Sequence, residues 1–171
     1  MLGNELLLKV KGIKLKELDN YIFDMWVFEG KEFTEEMIPE GAVGFVYEMM
    51  SIIDGKSVRY IGKKNFYADL KTKLAKKDMP TDKRLKTYKR KRVFTYKQYY
   101  SSNETLKNAY KEGVNIRREI LHICYSKQQL SYYECKYQFA LGVLESDDFL
   151  NGNILGKFYK IAQWVPLEKS L

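Results

Sequence analysis

The feature that most constrains the fold is an Asp-Gly pair between two apolar runs. Residues 43–53 (VGFVYEMMSII) and 57–62 (SVRYIG) are rich in β-branched and aromatic residues, and Asp54 and Gly55 lie between them. An Asp-Gly pair flanked by such runs is a strong short-range signal for a hairpin, because both residue types tolerate positive φ. The sequence therefore predicts that the first two strands of the core are antiparallel.

Helical and strand patterns alternate after the hairpin. The predicted elements are a Lys-rich helix over 66–77, a capped helix over 102–112, a strand over 114–125, a helix over 127–145 and a strand over 154–165. Ser101 and Glu104 have the spacing of a capping box, and Gly113 suits the C′ position of the second helix. We therefore expect an α+β fold with a small, mainly antiparallel sheet, made of the hairpin plus a central third strand and flanked by helices.

The length favours one compact domain. A chain of 171 residues is long enough for one core of ordinary size and too short for two generous ones. Residues 1–41 are predicted to add a strand or two that pack on a main domain over 42–171. No signal peptide and no apolar run of 18 residues occurs in the sequence, so we expect a cytoplasmic protein with no membrane partner.

Positive charge is concentrated in one segment. Residues 63–92 hold thirteen Lys or Arg and three Asp, a balance of +10 against +8 for the whole chain. Such segregation attracts polyanions, whereas the alternative is a solvated, mobile loop. Aromatic residues alternate with the basic ones in 83–103, and the hydroxyls of Ser101 and Ser102 follow at a helix start, where a phosphate oxygen is stabilised. Nucleic acid is the expected partner.

Residues that often bind metals give a weaker signal. Cys124 and Cys135 lack a metal-site spacing and His122 is a lone histidine within a predicted strand, so we expect free thiols, a sheet histidine and no structural zinc. Glu134 lies within the apolar face of the last helix, four residues after Leu130. A carboxylate there is costly unless a cation meets it, so Glu134 either pairs with a Lys or Arg or provides a single-carboxylate site for Mg²⁺.

These features together resemble the GIY-YIG endonuclease family, in particular its phage-type and restriction-like members. Residues 44–47 (GFVY) are similar to the first half of the family signature, and residues 59–63 (RYIGK) are similar to the second half. Glu134 matches the late helical glutamate that binds the metal in the family. The resemblance covers about residues 42–155, and it implies a GIY-YIG nuclease core with 1–41 as an N-terminal extension.

The resemblance implies a reaction, which is hydrolysis of a DNA phosphodiester by in-line attack of water. Glu134 would hold one Mg²⁺ or Mn²⁺ per site. Tyr47 is the candidate general base, and Tyr60 helps to position the water or the phosphate. Because a phenol with a pKa of about 10 is a poor base at neutral pH, we expect neighbours such as Lys63 and Lys64 to favour the phenolate.

The sequence departs from the family at the arginine. Family members usually carry it on the helix after the second half-signature, and Leu70 stands at that place here. An insertion that moves the helix would make Arg92 the equivalent, with Tyr96 one helical turn later; Arg84 and Arg90 are alternatives. The planar fork of such an arginine would hold a phosphate oxygen and stabilise the charge that develops on phosphorus.

The sequence therefore predicts an endonuclease that cleaves double-stranded DNA, alone or as a homodimer, in the host cytoplasm if a phage encodes it. Its role would be homing, degradation of host DNA by a phage, or restriction. The rival hypotheses are an inactive nucleic-acid-binding module with the same basic surface, and an RNA-binding or structural interaction domain. The predicted catalytic residues are Tyr47, Tyr60, Lys63, Arg92 and Glu134. The predicted DNA-binding residues are Lys64, Arg84, Arg90, Lys91, Tyr96, Ser101, Ser102 and Asn151, with Asn153 as the competitor of Asn151.

Overall fold

The computed structural model describes residues 25–78, 81 and 88–161, so Arg84, most of residues 1–41 and the end of the predicted strand over 154–165 lie outside the described residues. In chain order the elements are β1 (Trp26–Phe28), β2 (Lys31–Glu32), β3 (Gly44–Ile53), β4 (Lys56–Asn65), β5 (Tyr67–Lys73), β6 (Tyr88–Phe94), α1 (Glu104–Lys111), β7 (Ile116–Cys124), α2 (Lys127–Ala140), β8 (Asn153–Ile154) and β9 (Phe158–Tyr159). One-turn 3-10 helices cover Glu35–Met37 and Lys76–Asp78.

The centre of the fold is a five-stranded sheet in the order β2-β1-β7-β3-β4. β3 and β4 pair antiparallel, and Asp54 (φ 51°) and Gly55 (φ 74°) form the turn between them. β7 is the middle strand and pairs antiparallel with β3 and parallel with β1. The predicted hairpin, the central third strand and the α+β, mainly antiparallel class are confirmed.

The sheet is buried on both faces because successive residues of β3 alternate between two clusters. Phe45 and Tyr47 belong to an aromatic cluster that includes Leu106 of α1. Val46 belongs to a second cluster that includes Leu130 of α2. α1 and α2 therefore contribute to opposite faces of the sheet. In the part of the chain that the structure describes, neither helix is long and apolar enough to cross a membrane.

The two helices have different ends from those predicted. α1 begins at Glu104 and is capped by Asn103, whose side chain accepts a hydrogen bond from the Leu106 N–H, so Ser101 is not the cap. At its other end Gly113 (φ 81°) has the left-handed conformation that closes a Schellman motif, as predicted for C′. α2 ends at Ala140, five residues before the predicted end, because Gly142 (φ 57°) closes the same motif there.

The predicted helix over 66–77 is wrong. Residues 67–73 form β5, which pairs with β6 in a separate two-stranded hairpin between β4 and α1. The rings of Tyr67 and Phe94 lie 4.9 Å apart at its base. Local lysine content favours a helix, but the cross-strand partner at 88–94 decides the structure, as tertiary context commonly does. The segment in which the missing arginine predicted an insertion therefore forms a hairpin, and the next helix along the chain is α1.

The predicted strand over 154–165 is also wrong within its described part. β8 and β9 form a small hairpin, and Leu155 (φ 56°) and Gly156 (φ 64°) lie in its turn. Two consecutive residues with positive φ cannot continue an extended strand. At the other end of the chain, β1 and β2 place residues 26–32 in the central sheet, and the boundary at residue 41 stays a prediction.

Candidate active site

A cleft of about 640 Å³ lies at the edge of the sheet beside β4. Tyr60 and Lys63 of β4 are three residues apart and so point to opposite faces of that strand, yet both line the cleft. They can do so because β4 is an edge strand and the cleft crosses the edge. The other lining side chains that concern the chemistry are Ser102 and Asn103 before α1, Glu134 and Gln138 of α2, and Asn151.

Glu134 is paired with Lys63. The Lys63 ammonium lies 2.8 Å from Glu134 Oε2 and donates a hydrogen bond of 3.0 Å to Ser131 Oγ. The Glu134 side chain is 16% exposed, so it reaches solvent only through the cleft. Of the two interpretations open for Glu134, the ion pair is the one present in this structure. A cation therefore already occupies the place beside the carboxylate.

Tyr60 presents its hydroxyl to the cleft. Tyr60 Oη lies 3.0 Å from Ser102 Oγ, and both residues line the cleft wall. Burial raises the pKa of Tyr60, and the hydrogen bond to Ser102 opposes that rise. Among the predicted catalytic residues, Tyr60, Lys63 and Glu134 are thus brought together at one site.

Tyr47 lies beneath this site. Its side chain is fully buried, and its hydroxyl is 3.2 Å from that of Tyr99. Burial raises the pKa of Tyr47 well above its usual value, and the neighbouring Tyr99 adds to the rise. We expected neighbouring charges to favour the phenolate, and in the protein by itself the opposite holds. Tyr47 is kept as a neutral phenol away from the cleft.

The position of Tyr47 depends on Gly62 of the second half-signature. A Cβ atom at Gly62 would lie 2.5 Å from Tyr47 Oη and 2.9 Å from Tyr60 Cε1. Gly44 of the first half-signature has a similar constraint, since a Cβ atom there would lie 2.3 Å from the Lys64 carbonyl oxygen. The signature glycines therefore allow close approach of β3, β4 and the two tyrosines.

The loop before α1 supports both tyrosines. Tyr99 bonds Tyr47, and the Lys64 ammonium lies 4.2 Å from the centre of the Tyr99 ring. Burial lowers the pKa of Lys64. Ser101 is buried and has φ 73°, so the chain reverses there and leaves Ser102 exposed towards Tyr60. Of the two serines predicted to bind phosphate, Ser102 is the accessible one.

Asn151 is a structural partner of β4. Its Oδ1 accepts a hydrogen bond of 3.0 Å from the Ile61 N–H, and its Nδ2 donates one of 2.8 Å to the Ile61 carbonyl. Asn151 is buried, while Asn153 is exposed and accepts a hydrogen bond from the Gly156 N–H. The two candidate asparagines are thereby distinguished, and the DNA contact predicted for Asn151 stays a prediction.

The predicted arginine is not in the cleft. Arg92 lies in β6, is largely exposed and has its Nε 3.6 Å from Asp69 Oδ1. Arg90 and Lys91 belong to the same strand. Because β6 is a strand, Tyr96 does not lie one helical turn beyond Arg92. Among the described residues no arginine lines the cleft, and α1 contains none.

Tyr96 belongs to the core. It is 1% exposed, its carbonyl accepts a hydrogen bond of 2.9 Å from Trp26 Nε1, and its ring packs edge-on to those of Phe45 and Phe66. Burial, together with nearby Glu35, raises the pKa of Tyr96 to about 12. The DNA contact predicted for Tyr96 does not agree with this burial.

Three residues of the site were not singled out from the sequence. Ser131 and Gln138 lie three residues before and four residues after Glu134, so helical spacing around Glu134 indicates that they share its face. Gln138 Nε2 donates to the Ile61 carbonyl, at 3.3 Å. Tyr99 stands among several tyrosines of similar context, and only the fold distinguishes it from Tyr96 and Tyr100.

The comparison with protein families gives the class of this domain. Residues 26–154, more than half of the chain, match the family described as "Putative endonuclease segE, GIY-YIG domain". The protein therefore belongs to the GIY-YIG endonuclease family. Neither the comparison with curated proteins nor the comparison with solved structures gives a match.

Proposed function

We propose that the protein is a divalent-metal-dependent endonuclease that hydrolyses phosphodiester bonds of double-stranded DNA in the cleft beside β4. The observation that carries the proposal is the convergence of Tyr60, Lys63, Ser102 and Glu134 on one cleft within a GIY-YIG domain. A hydroxyl, an ammonium and a carboxylate in a partly buried cleft suit the binding of a phosphate and a cation.

The residues of the cleft fit a single Mg²⁺ or Mn²⁺. In the described ranges no group of three or more His, Cys, Asp or Glu side chains could hold a metal ion. Mg²⁺ commonly keeps several waters and takes one or two protein carboxylates, and Glu134 provides one next to the cation position held by Lys63. The bound ion would offset negative charge on the scissile phosphate and on the leaving oxygen.

Residues of this chain would supply the other functions that the reaction needs, which are to hold the water, to accept its proton and to bind the phosphate. Tyr60, whose hydroxyl faces the cleft, replaces Tyr47 as our candidate to hold the attacking water. Its own phenol proton would first pass to solvent, and the phenolate oxygen would then accept the proton of the water. Lys63, released from Glu134 when DNA and a cation bind, would donate to a non-bridging phosphate oxygen. Tyr47 would act as a positioning residue, because its ring packs against Gly62 and against Tyr60, with centroids 6.3 Å apart.

Cleavage of supercoiled plasmid in Mg²⁺ or Mn²⁺ tests the proposal. We expect Glu134→Gln to lower the cleavage rate at least about 100-fold, since each 1.4 kcal/mol of lost transition-state stabilisation is tenfold in rate. Glu40→Gln is the matched control, because Glu40 is exposed and does not line the cleft, and its rate should equal that of the wild type. Equal rates for the wild type and Glu134→Gln would contradict the proposal.

One observation favours a second function, that of a binding domain without nuclease activity. The helix after the insertion, α1, carries no arginine, and Lys107 on that helix is paired with Glu104 at 2.7 Å. Lysine lacks the planar fork with which arginine holds two phosphate oxygens. A wild-type protein that binds duplex DNA but does not cleave it in either metal would support this second function.

A further inference from the structure

The β5–β6 hairpin stands apart from the rest of the fold. Among the described residues its two strands pair only with each other, and the central sheet does not include them. The hairpin is anchored at its base, where the Thr95 N–H donates to the Phe66 carbonyl and Phe66 is buried in the aromatic cluster. At the base Tyr67 also packs against this cluster, whereas Leu70, further along β5, is 52% exposed.

The hairpin segment carries the whole net charge of the protein. Residues 67–94 contain eleven of the 30 basic residues and three of the 22 acidic residues. The rest of the chain holds nineteen of each and is neutral, while the segment has a balance of +8. Lys73, Lys76, Lys77 and Arg92 are exposed in the structure. A neutral body with one strongly cationic projection concentrates its positive field there.

The concentration of positive charge is unfavourable for the stability of this hairpin by itself. An isolated two-stranded hairpin is marginally stable in water, and like charges close together destabilise it further. A polyanion that neutralises these charges would relieve the repulsion and order the hairpin. A two-stranded β-ribbon is one of the elements that the major groove of B-form DNA admits, whereas the major groove of A-form RNA is too narrow.

Both ends of the hairpin connect to segments that contribute residues to the cleft. β5 follows β4, which carries Tyr60 and Lys63, and β6 is followed by the loop that carries Ser102. A duplex held by the hairpin would therefore lie close to the cleft-lining residues. The sequence predicted that this basic segment binds nucleic acid, but through a helix and one catalytic arginine and not through a β-hairpin.

Building on the proposed function, we propose that β5 and β6 form a DNA-binding arm, a cationic β-ribbon that holds duplex DNA and supplies most of the electrostatic affinity. The arm binds the duplex outside the cleft, whereas hydrolysis takes place in the cleft at Glu134.

The salt dependence of DNA binding tests the arm. Binding of the full chain to a DNA duplex of about 25 base pairs is measured in EDTA over a range of NaCl concentrations. Each phosphate contact that is lost reduces the slope of log K against log[salt] by about 0.9. The triple variant Lys73→Gln, Lys76→Gln, Lys77→Gln should reduce the slope by about 1 to 3, according to how many of the three contact phosphate. Lys31→Gln, Lys56→Gln, Lys127→Gln removes the same charge from exposed sites elsewhere and should leave the slope unchanged.

A second variant removes the outer part of the arm. Leu70 and Lys91 are directly opposite in the hairpin register, so an Asn-Gly turn can replace residues 71–90. The replacement removes nine basic and two acidic residues, and affinity at 150 mM salt should fall at least about 100-fold. Urea unfolding checks that this variant remains folded.

The possible outcomes distinguish a failure of the arm proposal from a failure of the proposed function. If the triple variant and its control have equal slopes while the protein still binds and cleaves DNA, the proposal of a DNA-binding arm is wrong and the proposed nuclease function stands. No binding of DNA by the wild type at low salt would overturn both. Tighter binding of an RNA duplex of the same sequence than of DNA would also overturn the arm, since an A-form major groove does not admit the ribbon.

Discussion

At the scale of single residues, steric contacts explain why glycine occupies two positions of the signature. Gly62 lies where the Tyr47 phenol crosses β4, and Gly44 lies against the backbone of the same strand at Lys64. Neither glycine has positive φ, so each is needed for its missing side chain and not for a turn. Gly62 is required by the packing of the buried Tyr47, and Gly44 is required by the close approach of the β4 backbone.

Gly62→Ala should destabilise the protein by about 1–3 kcal/mol, because the added methyl group would overlap Tyr47, which is fully buried and has no space to move into. Urea denaturation measures the change. Gly152→Ala is the control, since a Cβ atom at Gly152 meets nothing within 4 Å, and its stability should stay within about 0.5 kcal/mol of wild type. Equal midpoints for the two variants would show that the overlap is relieved without cost.

The Lys63–Glu134 pair makes a second prediction. Lys63→Met should increase the affinity for Mn²⁺ by about tenfold, because the ammonium 2.8 Å from Glu134 repels a second cation and competes for the carboxylate. Isothermal titration calorimetry without DNA gives the affinity directly. Lys136→Met removes an exposed charge from the same helix and should change the affinity less than twofold. Weaker Mn²⁺ binding by Lys63→Met would contradict this competition and would mean that Lys63 holds Glu134 in the position that binds the ion.

At the scale of elements, the outer edge of β4 is protected by the segment before β8. The Arg59 N–H donates to the Asp148 carbonyl, the Leu150 N–H donates to the Arg59 carbonyl, and the Asn151 amide continues the pattern at Ile61. An uncovered edge strand would expose unpaired backbone groups. The side chain of Asn151 therefore makes the two hydrogen bonds that the backbone of a neighbouring strand would otherwise make with Ile61 beside the cleft.

Asn151→Ala should lower the free energy of unfolding by about 1–3 kcal/mol, since it leaves the buried N–H of Ile61 without its partner. Asn153→Ala should cost less than about 1 kcal/mol, because Asn153 closes an exposed turn. Thermal or urea unfolding of both variants measures the difference. An equal cost for the two variants would contradict the structural role of Asn151.

At the scale of the whole molecule, the protein combines a central sheet that is buried on both faces with a cationic hairpin. The chain outside the hairpin segment 67–94 has no net charge. Helix α1 contributes to the aromatic cluster on one face of the sheet, helix α2 contributes to the second cluster on the other face, and the cleft crosses the edge strand between them. The insertion enters the chain between β4 and α1. The proposed DNA-binding arm and the proposed catalytic cleft therefore belong to elements that are adjacent in sequence and separate in the fold.

The sequence by itself determined the parts that depend on local physics. The Asp-Gly turn, the C′ glycine at residue 113 and the half-signatures all depend on a few neighbouring residues, and each was predicted correctly. Glu134 was identified because a carboxylate on an apolar helical face needs a cation, and the structure provides Lys63.

Tertiary structure alone decided the rest. Residues 67–73 became a strand because a partner strand exists at 88–94, a pairing that local propensity does not contain. Tyr47 and Tyr60 are both strand tyrosines, yet one is fully buried and the other lines the cleft. Their roles differ because burial and access depend on which distant segments cover each side chain, and those segments come together only when the chain folds.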